Sequence, residues 1–138
     1  MKLSVIMPVY NEERTVAKAV EKVLKQKSVF ELVIVNDGSS DGTEKILKSL
    51  QKKFPKKIKT FKKTNGGKGS AVQLGLSKVH GDYTLIQDAD LEYDPADISE
   101  LLRPVKSGKA DVIYGSRFLG PHSNLLFWHR VGNTVLNF

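Results

Sequence analysis

Short apolar segments alternate with helical repeats along almost the whole chain, and this alternation limits the possible fold more than any other feature. Apolar runs typical of β-strands lie at five places: Leu3 to Met7, Glu31 to Val35, Ile58 to Lys62, Tyr83 to Gln87 and Asp111 to Tyr114. Four amphipathic helices are predicted between the strands. The first runs from Val16 to Leu24, the second from Ile46 to Leu50 and the fourth from Ile98 to Leu102, whereas the third is marked by Val72, Leu76 and Val79. The order predicts an α/β fold with a mostly parallel sheet and helices on both faces.

Polar residues at two of the predicted helix starts agree with this assignment. Asp41 suits the N-cap of the second helix, with Glu44 as its third residue. In "DPAD", Asp94 suits the N-cap of the fourth helix, Pro95 its first position and Asp97 its third.

Length and composition favour one globular domain that spans residues 1–138. The chain has 138 residues, of which 40% are hydrophobic, and it contains neither an internal repeat nor a linker-like segment. It contains no cysteine, which excludes disulfides, thiolate zinc sites and a cysteine nucleophile. No apolar run approaches the roughly 20 residues of a membrane span. Because Pro8, Asn11 and Glu12 interrupt the first apolar stretch, it is interpreted as a strand and not as a signal peptide.

The net charge of +7 predicts a polyanionic partner, such as nucleic acid, nucleotide phosphates or an anionic membrane surface. Many of the lysines lie in "QKKFPKKIKTFKK", residues 51 to 63, where they could instead solvate a helix end and an edge strand. Nucleic acid is disfavoured because Phe54 and Phe61 are the only aromatic residues interleaved with these lysines.

The C-terminal segment "NLLFWHRVGNTVLNF", residues 124 to 138, is apolar and helix-compatible but has no capping residue at its end. Two interpretations are open. Either a short terminal helix packs on the sheet, or the sequence is truncated and the native protein continues beyond Phe138.

Each predicted strand is followed by a polar segment. In chain order these segments are "PVYNE", "NDGSSDG", "NGGKGS", the acidic "DADLE" and "GSRF". Because the carboxyl ends of parallel strands share one edge of a sheet, these segments are expected to converge there, although each could also be turn chemistry alone. The third is not a Walker motif, since Lys62 stands where glycine is required and Gly69 where serine or threonine is required.

The acidic segment carries Asp88, Asp90 and Glu92 at alternate positions. If strand geometry continued to residue 92, the three like charges would share one face, so either a cation compensates them or the chain turns at residue 89. A hard divalent cation, Mg²⁺ or Mn²⁺, is one candidate. The solvated end of a strand leading into a helix is the alternative.

The five motifs together, in the order "PVYNE", "VNDGSSDGT", "NGGKGSA", "DADLEYDP" and "GSRF", resemble the family 2 glycosyltransferases of the GT-A fold, which use nucleotide-sugar donors. The resemblance covers residues 3 to about 134. Within that family the chain looks most like the polyprenyl-phosphate hexose synthases, such as dolichyl-phosphate mannose synthase.

The resemblance implies a donor site. It makes Asp88-Ala89-Asp90 the D-x-D signature, with Asp90 as a metal ligand and Asp88 between the metal and the ribose or sugar. Glu92 is a further candidate ligand, where some relatives carry glutamine. The residues implied around the nucleotide are Pro8, Tyr10, Glu12, Asp37 as acceptor from a base N–H, Gly67 and Lys68. Asn36 stands where many relatives have aspartate.

The acceptor is predicted from Arg117 and Arg130. A phosphate monoester is ionised at neutral pH and can attack an anomeric carbon without a strong base, whereas a sugar hydroxyl needs one. Asp111 is the only carboxylate among residues 111 to 138, and guanidinium groups suit phosphate. The matching arginines of the lipid-phosphate enzymes hold the acceptor phosphate, although Arg117 could instead pair with the acidic edge.

The expected function is that of an inverting, metal-dependent transferase. It would move mannose or glucose from GDP or UDP to a polyprenyl phosphate, with Asp88, Asp90 and Arg117 in catalytic roles. It would lie peripherally at the cytoplasmic face of the membrane. The alternative is a family 2 enzyme that acts on a sugar hydroxyl in polysaccharide or cell-surface glycan synthesis. Residues 1–138 alone are expected to bind the donor but to transfer sugar slowly or not at all.

Overall fold

A computed structural model describes residues 1–115 of the chain. The elements are β1 Leu3–Val9, α1 Val16–Leu24, β2 Val29–Asn36, α2 Thr43–Lys53, β3 Ile58–Lys62, α3 Lys68–Leu76, β4 Tyr83–Ile86, a 3-10 turn Pro95–Asp97 and α4 Ile98–Lys106. The described residues fall into two units, one from Met1 to Ser99 and a second that begins at Glu100 within α4. The prediction of a single domain stays a prediction.

The four strands form one parallel sheet in the order β3-β2-β1-β4. The two central strands, β1 and β2, are buried along almost their whole length, which explains why they read as continuous apolar runs and not as alternating ones. Ile6 pairs with Val33 on one side and with Ile86 on the other. The predicted α/β fold is therefore confirmed, with helices alternating between the strands.

Helices cover both faces of the sheet. Helix α3 packs on the face that carries Val33 and Val35, with Ala71 in the same buried cluster. A Cβ on Gly75 would lie only 2.5 Å from Ile6 Cγ2, so α3 approaches β1 closely because residue 75 has no side chain. Helix α2 lies over the opposite face, where the Thr60 hydroxyl donates to the Gln51 side chain.

The buried face of α3 differs from the predicted one. The sequence pattern assigned Val72, Leu76 and Val79 to the core, but Ala71 and Gly75 are the buried residues of the helix, and Leu76 is 51% exposed. Val79 lies beyond the helix end, partly buried against the Val33 cluster. Apolar periodicity missed this face because small residues, not large ones, allow the close helix–sheet contact.

The predicted helix starts are partly confirmed. Asp94 caps the 3-10 turn, its Oδ1 accepting from the Ala96 N–H at 3.2 Å, and Pro95 follows as predicted. Helix α2 begins at Thr43 and its N-cap is Gly42, so Asp41 is the residue before the N-cap and not the N-cap itself. Glu44 is the second helical residue and not the third. The Asp41 carboxylate still accepts from the Thr43 N–H at 3.0 Å.

The predicted fifth strand is wrong. Residues 111–114 form no strand, and Val112 and Tyr114 are 70% and 90% exposed. A run of four residues carries a weak signal, and a strand needs a hydrogen-bonded partner that this run does not have within residues 1–115. No helix in that described part is long and apolar enough to cross a membrane.

A polar cluster around the buried Glu31 side chain joins the strands near their amino-terminal ends. The Glu31 carboxylate accepts from Ser4 Oγ at 2.8 Å, Lys59 Nζ at 2.8 Å and the His80 N–H at 2.6 Å. Burial alone would raise the pKa of Glu31, but these hydrogen bonds and the charge of Lys59 together hold that pKa below its usual value. One carboxylate thus joins three strands and the segment before β4.

Candidate functional site

The sheet order creates a crevice at one edge. The chain runs outward from β1 to β2 and β3 and then returns to place β4 on the other side of β1. Ligands of open α/β sheets bind at such a reversal, beyond the carboxyl ends of the strands. The polar segments after the four strands all begin at this edge, as predicted, whereas most of the fifth, "GSRF", lies outside the described residues.

Hydrogen bonds join the loops after β1 and β2. The Asn11 N–H donates to Ser39 Oγ at 3.0 Å, and Asn11 Oδ1 accepts from the Ser40 N–H at 2.8 Å. Asn11 has φ 54°, a conformation that asparagine tolerates better than most residues. The Glu12 N–H donates to Thr43 Oγ1 at 2.9 Å. The segment "NDGSSDG" therefore holds the neighbouring loop in place in addition to forming a turn.

Asp37 connects the end of β2 to the loop before α3. Its buried carboxylate accepts from Lys63 Nζ at 2.7 Å, the Gly66 N–H at 3.0 Å and the Gly67 N–H at 2.8 Å. Burial alone would raise the pKa of Asp37, but the hydrogen bonds from Lys63, Gly66 and Gly67 outweigh it and keep the pKa below its usual value. Gly67 has φ 85°, which suits glycine at the N-cap of α3.

Lys68 connects the loop before α3 to the acidic loop. It is the first residue of α3, and its Nζ donates to Asp88 Oδ2 at 2.7 Å. The Asp88 side chain is 22% exposed and that of Lys68 60%. This contact places the glycine-rich segment beside the first carboxylate of the predicted D-x-D signature.

The three acidic residues do not continue the strand. Strand β4 ends at Ile86, and Leu91 has φ 67°, so the chain turns within "DADLE". Asp90 Oδ1 accepts from the Glu92 N–H at 3.0 Å. Strand geometry therefore does not persist to residue 92, and the alternative of a turn in the chain is the one observed. The repulsion among the three carboxylates is therefore reduced in two ways: the chain turns, and the ammonium group of Lys68 pairs with Asp88.

The donor set fits a hard divalent cation. Carboxylate oxygens are ligands that Mg²⁺ and Mn²⁺ prefer. Within residues 1–115, no group of three or more His, Cys, Asp or Glu side chains is gathered closely enough to hold a metal by itself. Mg²⁺ is commonly held by one or two carboxylates together with substrate phosphates and water. Asp88 and Asp90 fit a site of that kind, which a diphosphate would complete.

The remaining predicted residues are placed as follows. Pro8 is the sixth residue of β1, and Tyr10, just beyond the strand, is 51% exposed at the edge. The Glu12 carboxylate accepts from the Thr15 hydroxyl, and its carbonyl accepts from the Val16 N–H at 2.9 Å, so Glu12 also stabilises the turn that precedes α1. Arg117 and Arg130 lie outside the described residues. The ligand-binding roles of all these residues stay predictions.

Sequence reasoning missed Lys63 at this edge and left the role of Asn36 open. Lys63 holds Asp37, and its position directly after β3 and just before "NGG" was the available signal. Asn36 is buried, its Oδ1 accepts from the Ser39 N–H at 2.9 Å, and its Nδ2 has no hydrogen-bond partner in the part of the chain that the structure describes. Nothing in the sequence signals that unpaired amide group.

Comparison with known proteins adds a decisive observation to this geometry. The family described as Glycosyl transferase family 2 matches residues 4–137, almost the whole chain. The chain belongs to this family. The resemblance inferred from the five motifs is thereby confirmed.

Two curated relatives of this family 2 chain carry dolichol phosphate or dolichyl phosphate in their names. A dolichol-phosphate mannosyltransferase of Pyrococcus furiosus is 33% identical over 136 residues, which cover 95% of the chain and 38% of that protein. A dolichyl-phosphate beta-glucosyltransferase, ALG5A, of Trichomonas vaginalis is 36% identical over 114 residues, which cover 76% of the chain and 35% of that protein. The family 2 chain therefore spans less than two fifths of the length of either relative.

A solved structure shares the fold. The mannosyltransferase PcManGT from Pyrobaculum calidifontis, in complex with GDP-Man and Mn²⁺, matches with a TM-score of 0.60 and 27% identity, covering 64% of the family 2 chain and 27% of that protein. The fold of the family 2 chain is therefore GT-A, as predicted.

Proposed function

We propose that this family 2 chain is the donor-binding part of an inverting hexosyltransferase that moves mannose or glucose from GDP or UDP to a polyprenyl phosphate. One observation carries the proposal: the carboxyl edge brings the Asp37-anchored loop, Lys68 and the D-x-D carboxylate Asp88 together. The names of the two dolichyl-phosphate relatives support the acceptor class.

The nucleoside would lie in the crevice between the ends of β1 and β4. Tyr10 offers an exposed ring at this edge, and aromatic faces suit stacking against a base. A carboxylate has about four acceptor sites, and Asp37 uses three of them for Lys63, Gly66 and Gly67. The remaining site would accept a hydrogen bond from a base N–H.

A divalent metal ion would be held by Asp88 and Asp90, with Glu92 as a further candidate ligand. When bound, it would offset the charge that develops on the nucleotide diphosphate as the bond to the sugar breaks. The complex of PcManGT with Mn²⁺ supports this part of the proposal. The chain's own task at this point is to hold the two carboxylates at the end of β4, beside the start of α3.

Arg117 and Arg130 would bind the acceptor phosphate. An ionised phosphate oxygen attacks the anomeric carbon, the bond to the nucleotide diphosphate breaks, and no side chain has to remove a proton. Arg117 would orient that phosphate, so its removal is expected to reduce transfer far more than nucleotide binding.

Peripheral contact with the cytoplasmic membrane face is proposed from the distribution of lysine. Residues 45–63 contain nine lysines and no acidic residue. On α2, Lys45, Lys48 and Lys52 are exposed and spaced three and four residues apart, so they share one helix face. An anionic leaflet attracts such basic clusters.

Calorimetric titration with GDP and with UDP tests the donor site directly. We expect one of the two to bind, and Mn²⁺ to tighten that binding at least tenfold, the scale of a direct ligand contribution. Equal affinity with Mn²⁺ and with EDTA would contradict the metal assignment. The acceptor is then tested with the full-length protein, labelled sugar nucleotide and polyprenyl phosphate. Transfer to a glycan hydroxyl instead would contradict the acceptor assignment.

A further inference from the structure

The contact between Lys68 and Asp88 places a cation on one of the two carboxylates assigned to the metal. Lys68 Nζ lies 2.7 Å from Asp88 Oδ2. We propose that Lys68 is an internal counter-ion that competes with the divalent cation at Asp88, so that the metal binds tightly only together with the nucleotide diphosphate. The inference rests on the proposed function, because it presupposes that Asp88 and Asp90 meet a metal.

The first step concerns the state without ligands. Asp88 is partly buried and has a second carboxylate, Asp90, two residues away, so the ammonium group at 2.7 Å offsets part of this local negative charge. Lys68 can supply this positive charge because its backbone is fixed at the start of α3. The preceding residue, Gly67, is the N-cap of that helix and donates its N–H to Asp37 at 2.8 Å.

The second step concerns a metal ion that arrives alone. A metal ion held by Asp88 would compete with the ammonium group on Oδ2 for the same carboxylate, and the two positive charges would repel each other. The ion must therefore displace Lys68 from Asp88 or bind beside it, and either event weakens binding. Because the Lys68 side chain is 60% exposed, solvent screens this penalty, and we expect it to reduce the affinity for a lone ion by about fivefold to tenfold.

The third step concerns the metal and the nucleotide together. A diphosphate brings several negative charges into the same place and offers the released ammonium group a new partner. Lys68 has a flexible four-carbon stem and can move to the phosphate without moving α3. The residue that opposes the lone metal ion would then stabilise the ternary complex, so Lys68 would raise the coupling between metal and nucleotide binding.

Three variants separate this role from a general effect of charge. Lys68→Gln removes the ammonium group and keeps a side chain with good helix propensity. Lys68→Arg keeps the charge. Lys18→Gln is the matched control, because Lys18 is an exposed lysine on α1 and its loss changes the net charge by the same amount. Circular dichroism verifies that all three are folded.

Mn²⁺ binding without nucleotide is measured by the loss of the free-ion electron paramagnetic resonance signal. We expect Lys68→Gln to bind Mn²⁺ about fivefold to tenfold more tightly than the wild type, and Lys68→Arg and Lys18→Gln to match the wild type. Nucleotide diphosphate binding in the presence of Mn²⁺ is measured by calorimetry, and there Lys68→Gln should be weaker than the wild type. The same change thus acts in opposite directions in the two experiments.

Two results would overturn the inference. One is an unchanged or weaker affinity of Lys68→Gln for Mn²⁺ alone, and the other is an equal gain in Lys18→Gln. Failure of the proposed function looks different, because the wild type would then bind neither GDP nor UDP in a metal-dependent way.

Discussion

Single side chains set the geometry of the carboxyl edge of the sheet. Asp37 accepts from one ammonium group and two backbone amides, and it thereby holds the N-cap of α3 in place. Asp88 has its ion pair with Lys68, whereas Asp90 is exposed and accepts one local bond from the Glu92 N–H. The two D-x-D carboxylates therefore differ in how much of their oxygen surface a ligand can reach.

Asp90→Ala tests the more accessible carboxylate. We expect metal-dependent binding of nucleotide diphosphate to weaken at least about tenfold, the scale seen when metal ligation is disturbed. The fold should persist, because Asp90 is exposed and the hydrogen bond that its carboxylate accepts from the Glu92 N–H is local. Calorimetry with Mn²⁺ and with EDTA provides the measurement, and Asp97→Ala is the control. Unchanged Mn²⁺ dependence in Asp90→Ala would rule out the assigned role.

At the scale of elements, two glycines of α3 have opposite surroundings, and only Gly75 lies against β1. A Cβ on Gly75 would lie 2.5 Å from Ile6 Cγ2, whereas a Cβ on Gly69 would meet nothing within 4 Å. Both residues belong to the same helix. Alanine at Gly69 therefore reports the helix propensity alone, whereas alanine at Gly75 also reports the packing of the helix against Ile6.

Gly75→Ala is expected to destabilise the protein by about 1–3 kcal/mol, because the added methyl group overpacks the contact with Ile6. Gly69→Ala in the same helix is expected to be neutral or to stabilise by up to about 1 kcal/mol, since alanine is the better helix former. Urea denaturation of both variants provides the comparison. If Gly75→Ala were as stable as Gly69→Ala, the close approach of α3 would be disproved.

The Glu31 cluster makes stability depend on pH. The pKa of Glu31 is lower in the folded state than its usual value of 4.5. Its contribution to stability is therefore present above pH 4.5 and is lost as the pH falls through the lowered pKa. Glu31→Gln should reduce the free energy of unfolding at pH 7 by about 1–3 kcal/mol. On acidification, the free energy of unfolding of this variant should fall less than that of the wild type.

Urea denaturation at a series of pH values between 7 and 3 measures this effect. Asp97→Asn serves as the control, because Asp97 is an exposed carboxylate on the 3-10 turn. A Glu31→Gln profile parallel to that of the wild type would show that other carboxylates cause the acid sensitivity.

The elements differ in how far the sequence could predict them. The strands β1 and β2 were predictable because their apolar runs are buried on both faces. The seating of α3 was not, since apolar periodicity gives no weight to Gly75. In the site, the order of loops follows from the strand pattern, whereas the turn at Leu91 requires a positive φ that leucine rarely adopts. The pairing of Lys68 with Asp88 joins residues 20 positions apart, and only the folded sheet brings them together.

At the scale of the whole molecule, positive charge is distributed unevenly. The stretch 45–63 carries nine lysines, and several of them are compensated by acids elsewhere, as Lys59 is by Glu31 and Lys63 by Asp37. Hydrogen bonds from Lys48 and Lys62 lower the pKa of Glu44 to about 2, so Glu44 stays ionised at any physiological pH. The exposed face of α2 carries Lys45, Lys48 and Lys52, of which Lys48 pairs with Glu44 at 2.8 Å.

A triple variant, Lys45→Gln, Lys48→Gln and Lys52→Gln, tests this surface. Binding to vesicles that contain anionic phosphatidylserine should weaken by about tenfold or more, because each lysine near such a surface contributes roughly 1 kcal/mol. Binding of the wild type should also fall as salt is raised. Sedimentation with vesicles measures both effects, and neutral phosphatidylcholine vesicles are the control. If the triple variant bound as tightly as the wild type, this face would not be the membrane contact.

The pairing of β4 with β1 has a consequence for how the protein is assembled. Tyr83 and Thr84 of β4 pair with Leu3 and Ser4 of β1, so this contact closes a loop of about 80 residues, whereas β1, β2 and β3 pair with nearer neighbours. Contacts that close long loops have a high entropic cost before they stabilise anything, and they slow folding. We therefore expect β4 to join the sheet last, both in refolding and on the ribosome. Until it does, one edge of β1 stays unpaired, and the acidic loop that follows β4 has no fixed position beside α3.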